Sequence, residues 1–262
     1  MNTGFETGAS ELFETTFTAL HAQAPLKTWS LIVTVFGDIA PAKEEQIDSQ
    51  LLAALTAPFG VKPEALRVAL HRLRKDGWLE AVKTGRRSAY HLSTTGQALT
   101  QSAYERIYRA AQTGPGADWQ IELFEDAAAA GRARTALIGA NILVSPAPAT
   151  GAPLALAARD VPDWMRAALV SPEAQADFAG YVRALEGLAP ALATATLSQE
   201  ARVALRFLVL HHWRRIILRQ PEAPELLLGE DWPGHRARQL TLKVFQDLPR
   251  AKLSDLAAQT AA

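Results

Sequence analysis

One stretch decides the fold of this 262-residue chain: Pro63-Glu64-Ala65-Leu66-Arg67-Val68-Ala69-Leu70-His71-Arg72-Leu73-Arg74-Lys75-Asp76-Gly77. Set at about 100° per residue, its side chains divide into two faces. The apolar face, which must point to a core, consists of Leu66, Ala69, Leu70 and Leu73. The stretch therefore predicts an amphipathic helix that begins at Pro63, where a missing N–H costs nothing, and ends at Gly77.

The segments around this helix complete a familiar order of elements. Apolar-periodic runs predict two helices before it, over 27–38 and 47–57. After it, a strand over 77–82 is followed by a basic turn over 83–87 and a return strand over 88–92. A protein that reads the DNA major groove with a helix and touches the backbone with a wing requires this order. The sequence thus predicts a winged helix-turn-helix DNA-binding domain over 26–95.

The charge distribution agrees with this prediction although the total charge does not. Lys+Arg and Asp+Glu are equal at 27 each, so the formal net charge is zero. Between Lys62 and Tyr90, however, eight basic residues face three acidic ones, which leaves +5 in that segment and −5 in the rest. The local figure decides, because salt screens charges over about 8–10 Å and phosphates respond to the nearby field.

The face of the helix opposite its apolar side supplies the candidate base contacts. Arg67 is placed to bond guanine and Val68 to touch a thymine methyl, while His71 can donate or accept. The other basic residues of the helix and wing are better placed for phosphates or the minor groove. The predicted DNA-binding residues are Arg67, Val68, His71, Arg74, Lys75, Lys83, Arg86 and Arg87. The alternative for any single basic residue is a solvated surface charge, and Arg72 is expected to be partly structural.

The chain as a whole predicts a fold that is mainly α with α+β parts. The predicted divisions are an N-terminal arm over 1–25, the DNA-binding domain over 26–95, a connecting helix and linker over 96–116, a ferredoxin-like α+β domain over 117–170 and a C-terminal helical domain over 171–262. The ferredoxin-like order is a strand at 119–124, an Ala-rich helix over 126–140 and strands at 141–144 and 154–156. The C-terminal domain is expected to dimerise and to sense an effector.

A helix over about 200–219 carries the candidate effector site. It is apolar almost all round, which predicts burial, yet His211, Arg214 and Arg215 lie in one sector of it. A buried guanidinium must be paired with a carboxylate or must face an anion. A salt bridge to Glu225, Glu230 or Asp231 is one interpretation, and a phosphate or carboxylate clamp is the other. Trp232 is placed to stack on an effector ring or to pack in the core, so the candidate effector-binding residues are His211, Arg214, Arg215 and Trp232.

Several classes of protein are disfavoured. There is no cysteine, and no phosphate-binding loop, dinucleotide fingerprint, nucleophile elbow or zinc-protease motif is present. Adjacent His211 and His212 diverge on a helix and cannot chelate one metal together. With these motifs absent, no catalytic residue, cofactor or metal is predicted. Asp118 alone is thin support for a metal-dependent nuclease. Without a secretory signal or a run of about 18 apolar residues, we expect a cytoplasmic protein with no membrane partner.

The chain resembles the PaaX family of transcriptional repressors. The matching segments are Ala69-Leu70-His71-Arg72-Leu73-Arg74-Lys75-Asp76-Gly77-Trp78-Leu79, Gly85-Arg86-Arg87-Ser88-Ala89-Tyr90-His91-Leu92, His212-Trp213-Arg214-Arg215-Ile216-Ile217-Leu218-Arg219 and Asp231-Trp232-Pro233-Gly234. The likeness extends over about residues 27–245 and is distinctive because distant blocks agree in order.

This resemblance implies an N-terminal winged helix, a central ferredoxin-like domain and a C-terminal helical domain. It also implies a homodimeric repressor of aromatic-acid catabolism that binds a pseudo-palindromic operator in double-stranded DNA. The implied effector is an acyl-CoA thioester such as phenylacetyl-CoA, which would release the operator. Two alternatives stay open: a ligand-independent activator or architectural DNA-binding protein, and the metal-dependent nuclease.

Overall fold

The computed structural model describes residues 7–84, 87–109, 119–123, 136–137, 142–146, 154–157, 163–220 and 228–261. Its helices are α1 (Thr7–His21), α2 (Thr28–Ile39), α3 (Ser49–Thr56), α4 (Pro63–Lys75), α5 (Thr94–Tyr108), α6 (Asp163–Leu169), α7 (Pro172–Leu192), α8 (Gln199–Ile217), α9 (Pro233–Asp247) and α10 (Leu253–Ala261). Its strands are β1 (Ile47–Asp48), β2 (Leu79–Thr84), β3 (Arg87–Leu92), β4 (Trp119–Leu123), β5 (Ala136–Leu137), β6 (Ile142–Pro146) and β7 (Leu154–Ala157). The described part of the chain is thus mainly α with α+β parts, as predicted.

The strands form two antiparallel sheets. The first has three strands in the order β1-β3-β2, with Leu79 opposite Leu92 and Ile47 opposite Tyr90. The two-residue strand β1 was not predicted, because it lies at the start of what the sequence indicates as a single helix from residue 47. The second sheet has four strands in the order β5-β6-β4-β7.

One element of the predicted central domain is wrong. The Ala-rich segment 126–140 was expected to be a helix, but Ala136–Leu137 is a strand that pairs with β6. Pairing with a neighbouring strand overrides the high helix propensity of alanine and leucine at these two positions, because tertiary contacts outweigh propensity. The remainder of that segment lies outside the described residues.

A glycine determines how the chain leaves α4. Gly77 takes φ of 74°, a left-handed conformation that is open to glycine at no steric cost. The N–H of Trp78 then donates to the carbonyl of Leu73 at 2.8 Å, and the N–H of Gly77 donates to that of Arg74 at 3.1 Å. These bonds satisfy the last carbonyls of the helix and turn the chain directly into β2. The hairpin is therefore held beside the end of α4.

A serine and a second glycine fix the other end of the hairpin. The Ser93 hydroxyl accepts from the N–H of Gly96 at 3.0 Å and caps α5, while donating to the carbonyl of Gly77 at 2.5 Å. Gly96 lies so close to the Trp78 carbonyl that a Cβ would clash with it. Since the contact is with backbone, only glycine fits there.

The chain divides into two compact units. The first comprises Met1–Arg109, Arg183–Arg215 and Leu240–Ala262, and the second comprises Ala110–Val182 and Ile216–Gln239. Residues 171–262, for which a separate C-terminal domain was predicted, are distributed over both units.

The first unit has an extensive core. Leu31, Val35 and Phe36 of α2 are fully buried, as are Leu205 and Phe207 of α8. α1 belongs to the same unit, and its buried Phe13 contacts Phe59 edge-on with ring centroids 5.6 Å apart. Segments from the start and from the second half of the sequence therefore pack into one unit.

Candidate nucleic-acid interface

The recognition helix predicted from the sequence, α4, has the two faces that were expected. Its buried residues are Leu66, Ala69, Leu70 and Leu73. Arg67, Val68 and His71 are exposed on the other side. The amphipathic pattern therefore correctly identified which side of this helix is free to meet a partner.

Val68 is the most informative residue on the exposed face. Its side chain is 69% exposed, although it is β-branched and apolar. His71 lies three residues after Val68 and four after Arg67, so it is a neighbour of both on the helix surface. Neither Arg67 nor His71 forms a hydrogen bond or ion pair with any described residue. The three side chains are thus presented on one side of α4, with the imidazole between the cation and the apolar group that can contact a methyl.

Basic residues continue along the C-terminal half of α4. His71, Arg74 and Lys75 line one side of an open groove, and β2 supplies Leu79, Glu80 and Ala81 on the other side. All three basic side chains are exposed to solvent. This placement suits contacts with phosphates that flank a base-reading segment.

Arg72 differs from its neighbours because it contacts its own fold. Its Nε lies 3.3 Å from the Asp76 carboxylate, and its guanidinium stands 5.5 Å from the centre of the Trp29 ring in α2. A cation over an indole is attracted by the ring's negative face. Arg72 therefore helps to hold α4 against α2, in agreement with the structural role expected for it.

The wing is described only up to its tip. β2 and β3 pair from Leu79 opposite Leu92 to Thr84 opposite Arg87, and Lys83 is exposed near the end of β2. Arg86 lies outside the described residues, as does the side chain of Arg87. Their proposed contacts with DNA stay predictions.

A buried charge network in the same unit was missed by the sequence analysis. Asp38, at the end of α2, is 0% exposed, and Arg206 of α8 is 5% exposed. Arg206 Nε donates to Asp38 Oδ2 and Arg206 Nη2 donates to Asp38 Oδ1, both at 2.7 Å. The Tyr108 hydroxyl donates to Asp38 Oδ1 at 2.9 Å, and Arg206 Nη1 donates to the Leu248 carbonyl at 2.8 Å. Helices α2, α5 and α8 are thus joined at a single carboxylate.

The electrostatics of this network are self-consistent. Burial alone would lower the pKa of Arg206, but its hydrogen bonds and proximity to the Asp38 carboxylate raise the pKa overall. Burial, and then the charge of Asp38, raise the pKa of Tyr108, so its hydroxyl keeps the proton that it donates. The sequence signal for this pair was a lone acid at the end of an apolar helix.

Two of the predicted effector residues contact α2 instead of a carboxylate. Arg214 Nη2 donates to the carbonyl oxygen of Ser30 at 2.9 Å and to its hydroxyl at 2.8 Å. His211 Nδ1 lies 3.3 Å from the Thr34 hydroxyl. Among the described residues of this unit, no carboxylate lies within 4 Å of Arg214. The carboxylates named for a salt bridge, Glu225, Glu230 and Asp231, belong to the second unit, and Glu225 lies outside the described residues, so that interpretation stays a prediction.

The other two predicted effector residues have different surroundings. Arg215 is half-buried at the end of α8, in the first unit. Trp232 belongs to the second unit, where it is buried and its ring centre lies 4.8 Å from that of Phe178. This contact is the core packing that was expected as the alternative to a stacking role.

Burial changes the protonation of the two neighbouring histidines. Burial is the largest cause for both, and it holds the pKa of His211 well below its usual value. It lowers the pKa of His212 to about 3, with the charges of Arg215 and His21 acting in the same direction. Burial also lowers the pKa of Arg214 to about 10, which leaves its guanidinium charged at neutral pH.

The described residues show neither a metal-binding group nor a membrane-spanning segment. No group of three or more His, Cys, Asp or Glu is placed to hold an ion within them. None of the helices they form combines the length and apolarity needed to cross a bilayer.

Comparison with known proteins places the chain in a family. Residues 27–96 match the family described as PaaX-like protein, and residues 171–258 match the PaaX-like protein C-terminal domain. The chain is 30% identical to the transcriptional repressor PaaX of Escherichia coli (strain K12), over 88% of this chain and 83% of that protein. A solved structure, the uncharacterized protein Rv0674 from Mycobacterium tuberculosis, is 22% identical with a TM-score of 0.45, over 87% of this chain and 97% of that one.

The class that these matches define is that of transcriptional regulators, and they point away from an enzyme. The chain belongs to the PaaX family. The family resemblance found in the sequence is thereby confirmed.

Proposed function

We propose that this protein is a DNA-binding transcriptional repressor whose helix α4 lies in the major groove of its operator. The observation that carries the proposal is the exposed group of Arg67, Val68 and His71 on a helix whose other face is fully packed. In this proposal α2, α3, α4 and the β2–β3 hairpin form a winged helix-turn-helix. Family membership supports it, since the E. coli relative is a transcriptional repressor.

The contacts divide by their chemistry. Arg67 bonds the acceptor edge of a guanine, Val68 contacts a thymine methyl, and His71 bonds a neighbouring base edge. The phosphate contacts are assigned to Arg74, Lys75 and Lys83, together with Arg86 and Arg87 at the wing tip. A homodimer would place two copies of α4 one helical turn apart, so the operator is a pseudo-palindrome in double-stranded DNA. The second unit, with its four-stranded sheet, is assigned as the ferredoxin-like domain.

The proposed regulation is release by an acyl-CoA thioester such as phenylacetyl-CoA, from an operon of aromatic-acid degradation. A ligand releases DNA only if it binds the DNA-incompetent arrangement more tightly than the competent one. The charged guanidinium of Arg214, which has no carboxylate beside it in its own unit, supports an acidic effector.

A binding experiment with matched variants tests the DNA contacts. A duplex is first selected from a random library with the wild-type protein, and affinities are then measured by fluorescence anisotropy. Arg67→Ala should weaken the selected duplex by about 1–3 kcal/mol and relax the preference at one position. Arg74→Ala should weaken selected and scrambled duplexes alike and reduce the salt dependence by about one phosphate contact. Arg183→Ala, an exposed arginine of α7, is the control.

Two outcomes would contradict the proposal. Equal losses of Arg67→Ala on selected and scrambled duplexes would show that Arg67 touches only the backbone. Wild-type protein that retains no duplex at low salt would remove DNA binding altogether. A titration of the complex with phenylacetyl-CoA tests the regulation separately: unchanged DNA affinity at saturation would favour the ligand-independent alternative.

A further inference from the structure

We infer that Trp29, Ser30 and Arg214 are positioning residues for DNA binding, which hold α4 at the angle at which its exposed face meets the duplex. Arg72 belongs to the same set and acts through Trp29, not as a phosphate contact. The inference rests on the proposed function, because it concerns how the proposed recognition helix is held. It gives a role in DNA binding to residues on α2 and α8, outside the face that meets the bases.

The first turn of α2 is the segment on which the inference depends. Lys27 occupies its N-cap position, and this side chain makes no capping hydrogen bond among the residues that the structure describes. Small polar side chains normally accept there from the free N–H groups of the first turn, and a helix end without such a cap is less stable. The turn that carries Trp29 and Ser30 therefore depends on other helices for its position.

Helix α8 supplies one of these supports. Arg214 Nη2 donates to the carbonyl oxygen of Ser30 at 2.9 Å and to its hydroxyl at 2.8 Å. Hydrogen bonds from a charged donor are stronger than those between neutral groups. One turn further along α2, the Thr34 hydroxyl donates to the same Ser30 carbonyl at 3.0 Å and lies 3.3 Å from His211 Nδ1. The first two turns of α2 are thus bonded to α8.

Trp29 connects this turn to α4. The guanidinium carbon of Arg72 lies over its ring, 5.5 Å from the ring centre, and Arg72 Nε lies 3.3 Å from the carboxylate of Asp76 at the end of α4. The attraction between the cation and the negative face of the ring joins α2 to the basic half of α4. A shift of Trp29 is therefore passed to α4, since packed helices transmit displacements as rigid elements.

Small displacements of α4 matter because of the contacts proposed for it. Hydrogen bonds from side chains to base edges are confined to about 2.7–3.2 Å, so a small rotation of the helix breaks them. Contacts with phosphates tolerate such a rotation better, because they depend mainly on charge. Loss of a positioning residue should therefore weaken a selected duplex more than a scrambled one.

Arg72 has an alternative role that can be distinguished by experiment. Its side chain is 62% exposed, so it could contact a phosphate directly. Each phosphate contact that is lost reduces the slope of log K against log salt by about 0.9 in double-stranded DNA. A positioning residue changes the affinity and leaves this slope as it is.

Anisotropy titrations of full-length protein on selected and scrambled duplexes, over a range of salt concentrations, test the inference. Trp29→Leu should weaken the selected duplex by about twofold to thirtyfold, the range of one cation–π contact expressed as a ratio of Kd. Arg72→Met should give a similar loss with the salt slope of the wild type. Trp29→Phe keeps an aromatic face and should recover most of the affinity. Arg214→Met should give a smaller loss, because it acts through Ser30.

A double variant and two matched controls complete the design. Trp29→Leu combined with Arg72→Met should lose no more affinity than either single variant, because both remove the same contact. Trp164→Leu replaces a tryptophan that is 62% exposed on α6, and it should leave the DNA affinity unchanged. Arg202→Met should do the same; Arg202 is half-buried on α8 and donates to the Asp247 carbonyl at 2.6 Å.

The inference would be overturned if Trp29→Leu bound the selected duplex as tightly as Trp164→Leu, or if it weakened both duplexes equally. A loss of salt slope in Arg72→Met as large as that in Arg74→Ala would make Arg72 a phosphate contact instead. Arg214→Met that bound like Arg202→Met would remove α8 from the set. Wild-type protein that retains no duplex would overturn the proposed function itself, whereas tight binding by all variants would overturn only the positioning role.

Discussion

Helix α8 carries two arginines, two turns apart, that the fold treats in opposite ways. Arg206 donates to both oxygens of Asp38 and to the Leu248 carbonyl, and its guanidinium carbon lies 4.8 Å from the centre of the Phe245 ring. Among the described residues Arg214 donates only to Ser30, a neutral residue, and keeps an unused buried N–H. Both lie in the first unit and both contact α2.

A buried charge can stabilise the fold or can be available to a ligand, depending on whether it has a counter-ion. A buried charge that is fully compensated fixes two segments relative to each other, and its partner cannot be exchanged without loss. A charge that is left without a counter-ion raises the free energy of the folded protein, and binding of an anion beside it lowers that free energy again. Arg206 fits the first description and Arg214 fits the second.

The largest predicted effect is the loss of stability in Arg206→Met. The substitution leaves Asp38 buried beside Tyr108, with Arg250 Nε at 3.8 Å as the nearest remaining cation, so the free energy of unfolding should fall by about 3–5 kcal/mol. Urea unfolding followed by circular dichroism measures it. A fall of less than about 1 kcal/mol would mean that Asp38 does not depend on Arg206, and the contrast between the two arginines would be lost.

The double variant Asp38→Asn with Arg206→Met controls for the change of shape. It removes both charges, so no buried charge remains uncompensated, and a large part of the lost stability should return. If the double variant were as unstable as the sum of the two single variants, packing and not charge would explain the loss.

The next effect concerns the third member of the network. Tyr108→Phe removes a hydrogen bond to a charged acceptor and should cost about 1.5–3 kcal/mol of unfolding free energy. The same measurement on Tyr104→Phe, whose side chain is exposed on α5, supplies the matched control. Equal effects at the two tyrosines would show that the Asp38 carboxylate does not need the Tyr108 hydroxyl.

Helix α4 and the Asp38–Arg206 pair show which features could be predicted from the sequence and which could not. The faces of α4 follow from a period of 3.6 residues, so local spacing was enough to predict which residues are buried and which are free. The pairing of Asp38 with Arg206 joins residues 168 positions apart. No periodicity encodes such a contact, because it depends on which helices meet in the folded unit.

The candidate effector residues fall between these cases. The apolar surroundings of Arg214 in the sequence predicted a guanidinium that requires a partner, and the structure gives it hydrogen bonds to Ser30. That the partner is Ser30 of α2 could not be read from the chain, since serine gives no charge signal.

The third prediction is an acid limb in stability that depends on His212. Its pKa is lowered from the usual value to about 3 in the folded protein, so between about pH 3 and 6.5 the unfolded state binds the extra proton. The unfolding free energy should therefore fall as the pH drops below about 6.5, by up to about 1.4 kcal/mol per pH unit for this group. Urea unfolding measured at pH values from 7.5 to 4 gives the unfolding free energy at each pH. This free energy should fall less steeply with decreasing pH in His212→Leu than in the wild type. Identical slopes in the two proteins would place His212 in contact with solvent.

The smallest predicted effect completes the comparison. Arg214→Met applies to the second arginine the same substitution that destabilises the first, yet it should change the unfolding free energy by about 1 kcal/mol or less. The variant loses its bonds to Ser30, but it also removes a buried charge that has no counter-ion in its unit, and the two contributions have opposite signs. The measurement is the same urea titration, run in buffer without phosphate or sulfate, because a bound anion would stabilise wild type alone. A loss as large as that of Arg206→Met would show that Arg214 is a structural residue with a compensated charge. A small loss, together with weakened anion binding, would mean that the chain keeps this arginine for a ligand and not for its fold.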